Sequence, residues 1–181
     1  MIVDEVYREF IHGKNKHYSV LQYTKGSEHT VMIDSVSKRY SLCGARVGNI
    51  VSKNKELITN ILKFAHLRLS PPTYALMASE AALDAPESYL NGVIAEYQKR
   101  RDILIKSLEK IPEVEVSHPM GAFYCIVRLP VDSAEDFSKF LLTSFHHKKR
   151  TVMLAPATGF YSTPGAGQNE VRIAFVLDSE K

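Results

Sequence analysis

Residues 35–48 read Ser-Val-Ser-Lys-Arg-Tyr-Ser-Leu-Cys-Gly-Ala-Arg-Val-Gly, and this stretch decides the fold that the chain is expected to have. The residues just before it, 30–34, form a short apolar run of the kind found in buried strands. Lys38 therefore lies just beyond the end of a predicted strand, where α/β proteins place reactive groups. Hydroxyl-bearing residues stand on both sides of Lys38, and Arg46 follows beside a glycine-bearing turn. This arrangement would suit a phosphorylated carbonyl compound, because the amine can form a Schiff base while the other groups hold the phosphate.

The whole stretch is similar to the cofactor-lysine signature of class I and II aminotransferases, the pyridoxal-phosphate-dependent enzymes of the aspartate aminotransferase superfamily. In that signature a pair of small residues precedes the lysine, and Gly-x-Arg-aliphatic-Gly follows it. The resemblance implies that Lys38 carries pyridoxal 5′-phosphate as an aldimine. The phosphate ligands that it implies are Ser35, Ser37 and Arg46. An isolated Ser-x-Ser-Lys would instead favour a surface lysine in a serine-rich loop, but here the match extends over residues 35–48.

A second element lies near the start of the chain, where residues 4–7 read Asp-Glu-Val-Tyr at the end of another predicted strand. This tetrapeptide resembles the Asp-x-x-Tyr element of the same family. The resemblance implies that Asp4, as a carboxylate, keeps the pyridine nitrogen of the cofactor protonated, and that Tyr7 donates to the ring oxygen. Taken alone, the tetrapeptide favours a helix-capping aspartate, and only the lysine signature downstream favours the catalytic interpretation.

Arg172 stands among apolar residues in a third element, Asn-Glu-Val-Arg-Ile-Ala-Phe at positions 169–175. A lone arginine in a strand usually points to solvent. In the aminotransferase family, however, a similar strand supplies the planar fork that binds the α-carboxylate of the substrate, and the resemblance gives Arg172 that role. Residues 119–124 also resemble a Pro-x-Gly-Ala-Phe-Tyr element of the family, which predicts a turn and a strand, with Phe123 as a candidate for the pocket wall.

Arg68 has two possible roles that the sequence leaves open. Aspartate-specific members of the family carry an arginine shortly before a Pro-Pro pair, and that arginine reads the side-chain carboxylate of the substrate across a dimer interface. Arg68 precedes Pro71 and Pro72, but the register is shifted and Ala65 lies nearer the expected place. The alternative is an ordinary surface arginine.

Short apolar runs predict strands, and runs with a helical period predict helices. The predicted strands are residues 1–3, 30–34, 46–51, 114–116, 122–129, 152–154 and 171–176. The predicted helices are residues 53–65, residues 70–83 with an N-cap at Ser70, a long helix between Pro86 and Pro112, and a helix that Ser133 caps.

The resemblance implies an α/β fold with two domains. Residues 1–85 are expected to be the C-terminal part of a largely parallel-sheet, PLP-binding large domain. Residues 86–181 are expected to be an interdomain helix and a small α+β domain whose last helix is missing. The match covers only the later part of the family pattern and lacks its glycine-rich phosphate loop and the aromatic that stacks on the cofactor ring. The chain is therefore expected to be the C-terminal half of such an enzyme and to be inactive alone.

The composition disfavours several other classes of protein. The 181 residues carry a net charge of +3 with dispersed Lys and Arg, which does not predict a nucleic-acid partner. Cys43 and Cys125 have no metal-ligand spacing, so no metal is expected. No apolar run approaches the ~20 residues of a membrane span, and the N-terminus lacks a signal-peptide pattern. A cytoplasmic protein without a membrane partner is expected.

The leading hypothesis is an aminotransferase of amino acid metabolism that moves an amino group between an amino acid and a 2-oxo acid, acting as a homodimer. Two alternatives stay open at the level of sequence. One is another PLP-dependent reaction on the same fold, such as that of a decarboxylase, a lyase or an acyl-CoA synthase. The other is a non-catalytic dimerisation or regulatory module.

Overall fold

The computed structural model describes residues 1–23 and 27–178 of the chain. The chain divides into two compact units, Met1–Ile94 and Ala95–Lys181. This division falls beyond residue 86, where the sequence placed the domain boundary, and within a long helix. The assignment of residues 1–85 to a PLP-binding large domain, and of residues 86–181 to an interdomain helix and a small domain, stays a prediction.

A three-stranded sheet organises the first unit. Its strands are β1 (Ile2–Asp4), β2 (Val31–Ser35) and β3 (Gly48–Val51), in that order across the sheet. β1 and β2 run parallel, with Ile2 opposite Val31, whereas β2 and β3 run antiparallel, with Ser35 opposite Gly48. The expected parallel character is therefore seen in one of the two strand pairs. β3 is antiparallel because the connection over residues 36–47 brings the chain back into the sheet at the end where β2 finishes, with Gly48 opposite Ser35.

The helices of this unit are α1 (Val20–Tyr23), α2 (Val36–Arg39), α3 (Lys55–Arg68) and α4 (Thr73–Ala81), with short 3₁₀ helices at Cys43–Ala45 and Ala82–Asp84. The predicted N-cap at Ser70 is wrong, because α4 begins at Thr73 with Pro72 in the capping position. The residue before a proline is disfavoured in the helical region, so the Ser70-Pro71-Pro72 run delays the helix. No residue of α3 is buried within the described chain, although its sequence shows an apolar face.

The second unit contains an antiparallel sheet in the order β4-β5-β7-β6. Its strands are β4 (Glu115–Val116), β5 (Tyr124–Arg128), β6 (Ala155–Pro156) and β7 (Glu170–Ala174). The buried core of this unit consists of Cys125, Val127, Ala134 and Val171. The predicted strand at 152–154 is wrong, since the pairing with β7 begins only at Ala155.

Two longer helices, α5 and α6, follow α4 along the chain. α5 (Glu87–Leu108) confirms the long helix predicted after Pro86. α6 (Ala134–Thr143) begins after Ser133, whose hydroxyl accepts a hydrogen bond from the Asp136 amide, as the sequence predicted. Within residues 1–23 and 27–178, no helix combines the length and the apolar character needed to cross a membrane.

Candidate active site

Lys38 lies in α2, directly after the end of β2. The helix begins there because the Ser35 hydroxyl accepts a hydrogen bond from the Ser37 amide and caps it. Lys38 is half-buried, and its Nζ lies 5.6 Å from the centroid of the Tyr7 ring, over the ring face. The structure thus brings together an amine and a phenol that are 31 positions apart in the sequence (38 − 7). A cation over an aromatic face is an attractive contact that holds the amine in place.

The two serines before Lys38 form a small hydroxyl cluster. The Ser35 Oγ lies 2.7 Å from the Ser37 Oγ and 2.9 Å from the Val47 carbonyl oxygen. A hydroxyl has one proton and the carbonyl can only accept, so the Ser35 proton goes to Val47 and the Ser37 hydroxyl donates to Ser35. The Ser35 proton is therefore engaged with the backbone, and the Ser37 hydroxyl can donate to an anion only by giving up its hydrogen bond to Ser35.

Arg46 marks the point where the chain turns back toward β3. Its φ of 58° is left-handed, a conformation that few non-glycine residues adopt, and it interrupts the extended backbone predicted from position 46. The guanidinium donates to the Cys43 carbonyl at 2.9 Å and the side chain is exposed. Gly48 follows where a Cβ would lie 3.0 Å from the Asp34 carbonyl oxygen, so a side chain there would crowd β2. Arg46 lies in the same connection between β2 and β3 as Ser37, after the 3₁₀ helix Cys43–Ala45.

Asp4 and Tyr7 frame a turn at the end of β1. Asp4 is exposed, and its Oδ1 accepts a hydrogen bond from the Val6 amide at 3.0 Å. No helix begins there, so the helix-capping alternative is replaced by a side-chain-capped turn. Tyr7, three residues on, is half-buried against Lys38. The predicted cofactor residues of the first unit therefore cluster at one end of its sheet.

Glu5, between these two residues, was not singled out by the sequence. The residue is 3% exposed, and both of its carboxylate oxygens have hydrogen-bond partners. Oε1 accepts from the Val20 amide at 2.7 Å and from the Ser19 hydroxyl at 3.0 Å, while Oε2 lies 3.0 Å from the His17 Nε2. Burial raises the pKa of Glu5, but the hydrogen bonds from His17, Val20 and Ser19 outweigh it and hold this pKa below its ordinary value of 4.5. Glu5 thereby fastens the Asp4–Tyr7 turn to residues 17–20.

Replacing Glu5 with glutamine is expected to destabilise the protein at neutral pH by about 1.5–3 kcal/mol, the range for hydrogen bonds to a charged group. Because the folded pKa is depressed, this stabilisation is fully present above the ordinary value of 4.5 and is lost as the pH falls below it. Urea unfolding at neutral pH and below pH 4.5 measures both effects. The exposed Glu80 provides a control, since Glu80→Gln should leave the unfolding midpoint unchanged. An equal loss of unfolding free energy in Glu5→Gln at both pH values would contradict the link between the ionisation of Glu5 and stability.

Two ion pairs also connect the Tyr7 segment with the Lys38 segment. An Arg8 Nη lies 3.1 Å from an Asp34 carboxylate oxygen, and Arg39 pairs with Glu9. Asp34 is buried and also accepts from the Ser35 amide at 2.8 Å. The sequence offered no local signal for these pairs, because each joins residues at least 26 positions apart (34 − 8).

Arg172 lies in the second unit, in the middle of β7. Its neighbours in register are Ile126 on β5 and Ala155 on β6. The guanidinium carbon lies over two aromatic rings, 5.0 Å from the Tyr124 centroid and 4.7 Å from that of Phe160. The side chain is half-buried, so the expectation that a lone strand arginine points freely to solvent does not hold. Within residues 1–23 and 27–178, its guanidinium has no carboxylate or other hydrogen-bond acceptor as a partner.

The two remaining candidates lie elsewhere in their units. Phe123 stacks on Tyr97 of α5 with 5.2 Å between ring centroids. The role of Phe123 as a pocket wall stays a prediction. Arg68 is exposed at the C-terminal end of α3. Whether Arg68 binds a substrate carboxylate or is an ordinary surface arginine stays open.

Comparison with known proteins identifies the family. The profile of the aminotransferase class I and II family matches residues 1–181. The chain is 32% identical to a (5-formylfuran-3-yl)methyl phosphate transaminase of Methanocaldococcus jannaschii, over 99% of this chain and 46% of that protein. It is 29% identical to an aspartate aminotransferase of Pyrococcus horikoshii, over 100% of this chain and 45% of that protein. The chain belongs to the class I and II aminotransferase family.

Solved structures agree on the fold. An aromatic aminotransferase from Pyrococcus horikoshii superposes with a TM-score of 0.83 at 28% identity, over 99% of this chain and 47% of that one. LysN, an α-aminoadipate aminotransferase from Thermus thermophilus solved with N-(5′-phosphopyridoxyl)-L-leucine, gives a TM-score of 0.84 at 24% identity, over 99% and 46%. The chain thus has an α/β aminotransferase fold and spans a little under half the length of these proteins. Its assignment to their C-terminal half is not confirmed by these matches.

Proposed function

We propose that the whole protein is a pyridoxal-phosphate-dependent aminotransferase that moves an amino group between an amino acid and a 2-oxo acid. The observation that carries this proposal is the position of Lys38 at the end of β2, with its amine over the Tyr7 ring and the turn capped by Asp4 beside it. Family membership supports the same reaction class. The reported relatives are named transaminases or aminotransferases, so decarboxylase, lyase, acyl-CoA synthase and non-catalytic alternatives are not favoured.

The groups at this end of the sheet fit the chemistry of pyridoxal phosphate. Its phosphate requires donors, and the Ser37 hydroxyl and the Arg46 guanidinium both lie in the connection between β2 and β3. Its aldehyde requires an amine, which Lys38 provides, and its ring nitrogen requires an anion, for which the exposed Asp4 is suited. Ser35 would contribute through the capped turn that it holds.

When bound, pyridoxal phosphate supplies an aldehyde that condenses with amines and a ring that accepts electrons. Lys38 would hold the cofactor covalently, and after the substrate displaces it, the Lys38 Nζ would carry the proton that leaves the substrate α-carbon. Asp4 would hold a proton at the pyridine nitrogen, and Tyr7 would donate its hydroxyl proton to the ring oxygen. The contact between the Lys38 amine and the Tyr7 ring supports this division of work, because it fixes the base near the phenol.

Arg172 would bind the α-carboxylate of the amino acid or 2-oxo acid. Its support is the half-buried guanidinium without an acceptor among the described residues, which leaves its planar set of N–H donors for a bidentate anion. A primary amine that lacks the carboxylate should therefore be a poor substrate.

The whole protein is also proposed to be a homodimer, and the 181-residue chain is proposed to be inactive by itself. The chain covers 45% to 46% of the relatives reported above. α3 has no buried residue, and Leu62, Phe64 and Leu67 on it are exposed, which supports an apolar surface that is covered in the assembly.

A steady-state assay tests the proposed reaction. The whole protein with pyridoxal phosphate is offered pairs of amino acids and 2-oxo acids, and both products are measured. Stoichiometric exchange of the amino group is the expected result. Release of carbon dioxide or ammonia without a new amino acid would contradict aminotransfer and favour a decarboxylase or a lyase.

Cys43 offers a chemical test of the phosphate site. Its thiol is exposed, and its carbonyl accepts the hydrogen bond from Arg46. Iodoacetamide is expected to alkylate Cys43 in the folded protein, and pyridoxal phosphate is expected to slow this reaction if Arg46 holds the phosphate. Cys125 is an internal control, because burial raises the pKa of its thiol to about 11 and should keep it unreactive until unfolding. Alkylation of Cys43 at an unchanged rate, with the cofactor bound, would contradict this location of the phosphate.

A further inference from the structure

We propose that Phe160 and Tyr124 are positioning residues that orient Arg172 for the substrate carboxylate. This inference rests on the proposed function of Arg172 as the carboxylate ligand. The guanidinium carbon lies over both rings, at 4.7 Å from the Phe160 centroid and 5.0 Å from the Tyr124 centroid. Aromatic faces attract and orient a guanidinium through the ring quadrupole. They do so without taking up the in-plane N–H donors that a carboxylate needs.

Three other arginines of the same unit show a contrast with Arg172. Arg100 also lies over a ring, 5.4 Å from the Tyr97 centroid, but its donors are taken by Glu96 and by the Val176 carbonyl, each at 2.7 Å. Arg101 and Arg128 likewise pair with carboxylates. Arg172 is held by two rings and, within the described part of the chain, by no anion. It is thus oriented while its hydrogen-bonding capacity stays available.

The sheet register places the first ring. Tyr124 pairs with Ala174, two residues beyond Arg172 on β7, so Tyr124 and Arg172 are diagonal neighbours on one face of the sheet. Ala155 stands directly opposite Arg172 on β6 and is small. The guanidinium can therefore extend over this edge without competition from a large opposing side chain.

The second ring comes from the short 3₁₀ helix Thr158–Phe160, which follows β6. The Phe160 amide donates to the Ala157 carbonyl at 2.9 Å, and the next residue, Tyr161, donates its hydroxyl proton to Glu170 on β7. The Tyr161 ring packs against Gly167, where an added Cβ would lie 2.6 Å from the ring and could not fit. Phe160 is 52% exposed, yet its backbone is fixed from both sides.

Contact with two rings lowers the entropic cost of binding a substrate carboxylate to Arg172. An exposed arginine side chain loses rotamer freedom when it grips an anion, and that loss weakens affinity. With Phe160 and Tyr124 in contact, part of this ordering already exists in the free protein. The rings should therefore act on substrate affinity and leave the chemical step at Lys38 unaffected.

The decisive experiment compares ring removal at two matched phenylalanines. Phe160→Leu in the pyridoxal-phosphate-loaded whole protein is expected to raise the KM for the amino acid about three- to tenfold, with little change in kcat, since one cation–π contact has roughly that weight. Phe160→Tyr restores a ring and should restore the KM. Phe140 is the control, because it is 48% exposed in the same unit and no cation of the described residues lies over its ring, so Phe140→Leu should leave the KM unchanged. Tyr124→Leu should reproduce the effect of Phe160→Leu, and serves in its place if that variant does not fold.

A second readout does not depend on activity. The Arg172 Nε–Hε resonance, assigned by its loss in Arg172→Lys, should lose its ring-current shift in Phe160→Leu, and its titration with pyruvate should weaken by the same factor as the KM. A normal KM and an unchanged resonance in both ring variants, with binding still lost in Arg172→Lys, would overturn the positioning role alone. Unchanged binding in Arg172→Lys would overturn the carboxylate role of Arg172 and the inference with it.

Discussion

Lys38→Ala is expected to remove both the borohydride-stable pyridoxyl label and the transaminase activity of the whole protein. Lys38 is the amine that α2 places at the end of β2, over the Tyr7 ring. A methyl group can neither bind the cofactor covalently nor carry a proton from the substrate α-carbon. Turnover should fall by on the order of 10⁴-fold or more, as for other residues that serve as both nucleophile and base.

The measurement is reduction with borohydride in the presence of pyridoxal phosphate, followed by peptide mapping and an activity assay. Lys53→Ala is the matched control, since Lys53 is exposed and lies beyond β3. This variant should keep the label and the activity. A label that maps to Lys53, Lys55 or another lysine in the wild-type protein would show that the assignment of the active site is wrong.

The local part of this site could be predicted from the sequence. An apolar run followed by Ser-x-Ser-Lys predicted β2 to within one residue, and Lys38 lies just past its end. The capping serine of α6 was equally readable, because a cap bond forms with an amide only three residues away. Structural features that depend on a few neighbouring residues can therefore be predicted from the sequence pattern.

The contacts across the fold were not readable in the same way. Glu5 meets His17, Ser19 and Val20 only because the chain folds back between them, and no spacing rule links these positions. The direction of β3 was missed for a related reason. A left-handed Arg46 and a Gly48 packed against β2 bring the strand back antiparallel, and neither conformation is visible in a run of apolar residues.

Arg172 combines a position that the sequence could predict with surroundings that it could not. The sequence placed it in a strand, and β7 confirms that position. Its surroundings, however, depend on the register of β5 and β6 against β7 and on the turn that carries Phe160. The ordinary expectation for a lone strand arginine is solvent exposure. In the structure, the Tyr124 and Phe160 rings lie against the guanidinium instead. These rings come from separate elements, so no single stretch of sequence predicts the contact.

Asp4→Asn is expected to remove the negative charge of Asp4 while keeping the hydrogen bond that caps the turn. The hydrogen bond that Asp4 Oδ1 accepts from the Val6 amide, 3.0 Å long, can be kept by the asparagine oxygen, so the turn should persist. The lost anion can no longer hold a proton at the pyridine nitrogen, and turnover should fall by about 10²- to 10³-fold, the range for loss of one preorganised electrostatic group.

The label at Lys38 and the melting temperature of Asp4→Asn should both stay close to those of the wild type, because neither Lys38 nor the turn depends on the charge. Glu28→Gln is the control, since it removes an exposed negative charge from the same unit and should leave turnover unchanged. Parallel measurement of kcat, borohydride labelling and thermal unfolding gives the answer. Turnover within twofold of the wild type would reduce Asp4 to the residue that caps the turn before Tyr7, and the ring-nitrogen partner would have to be sought elsewhere in the protein.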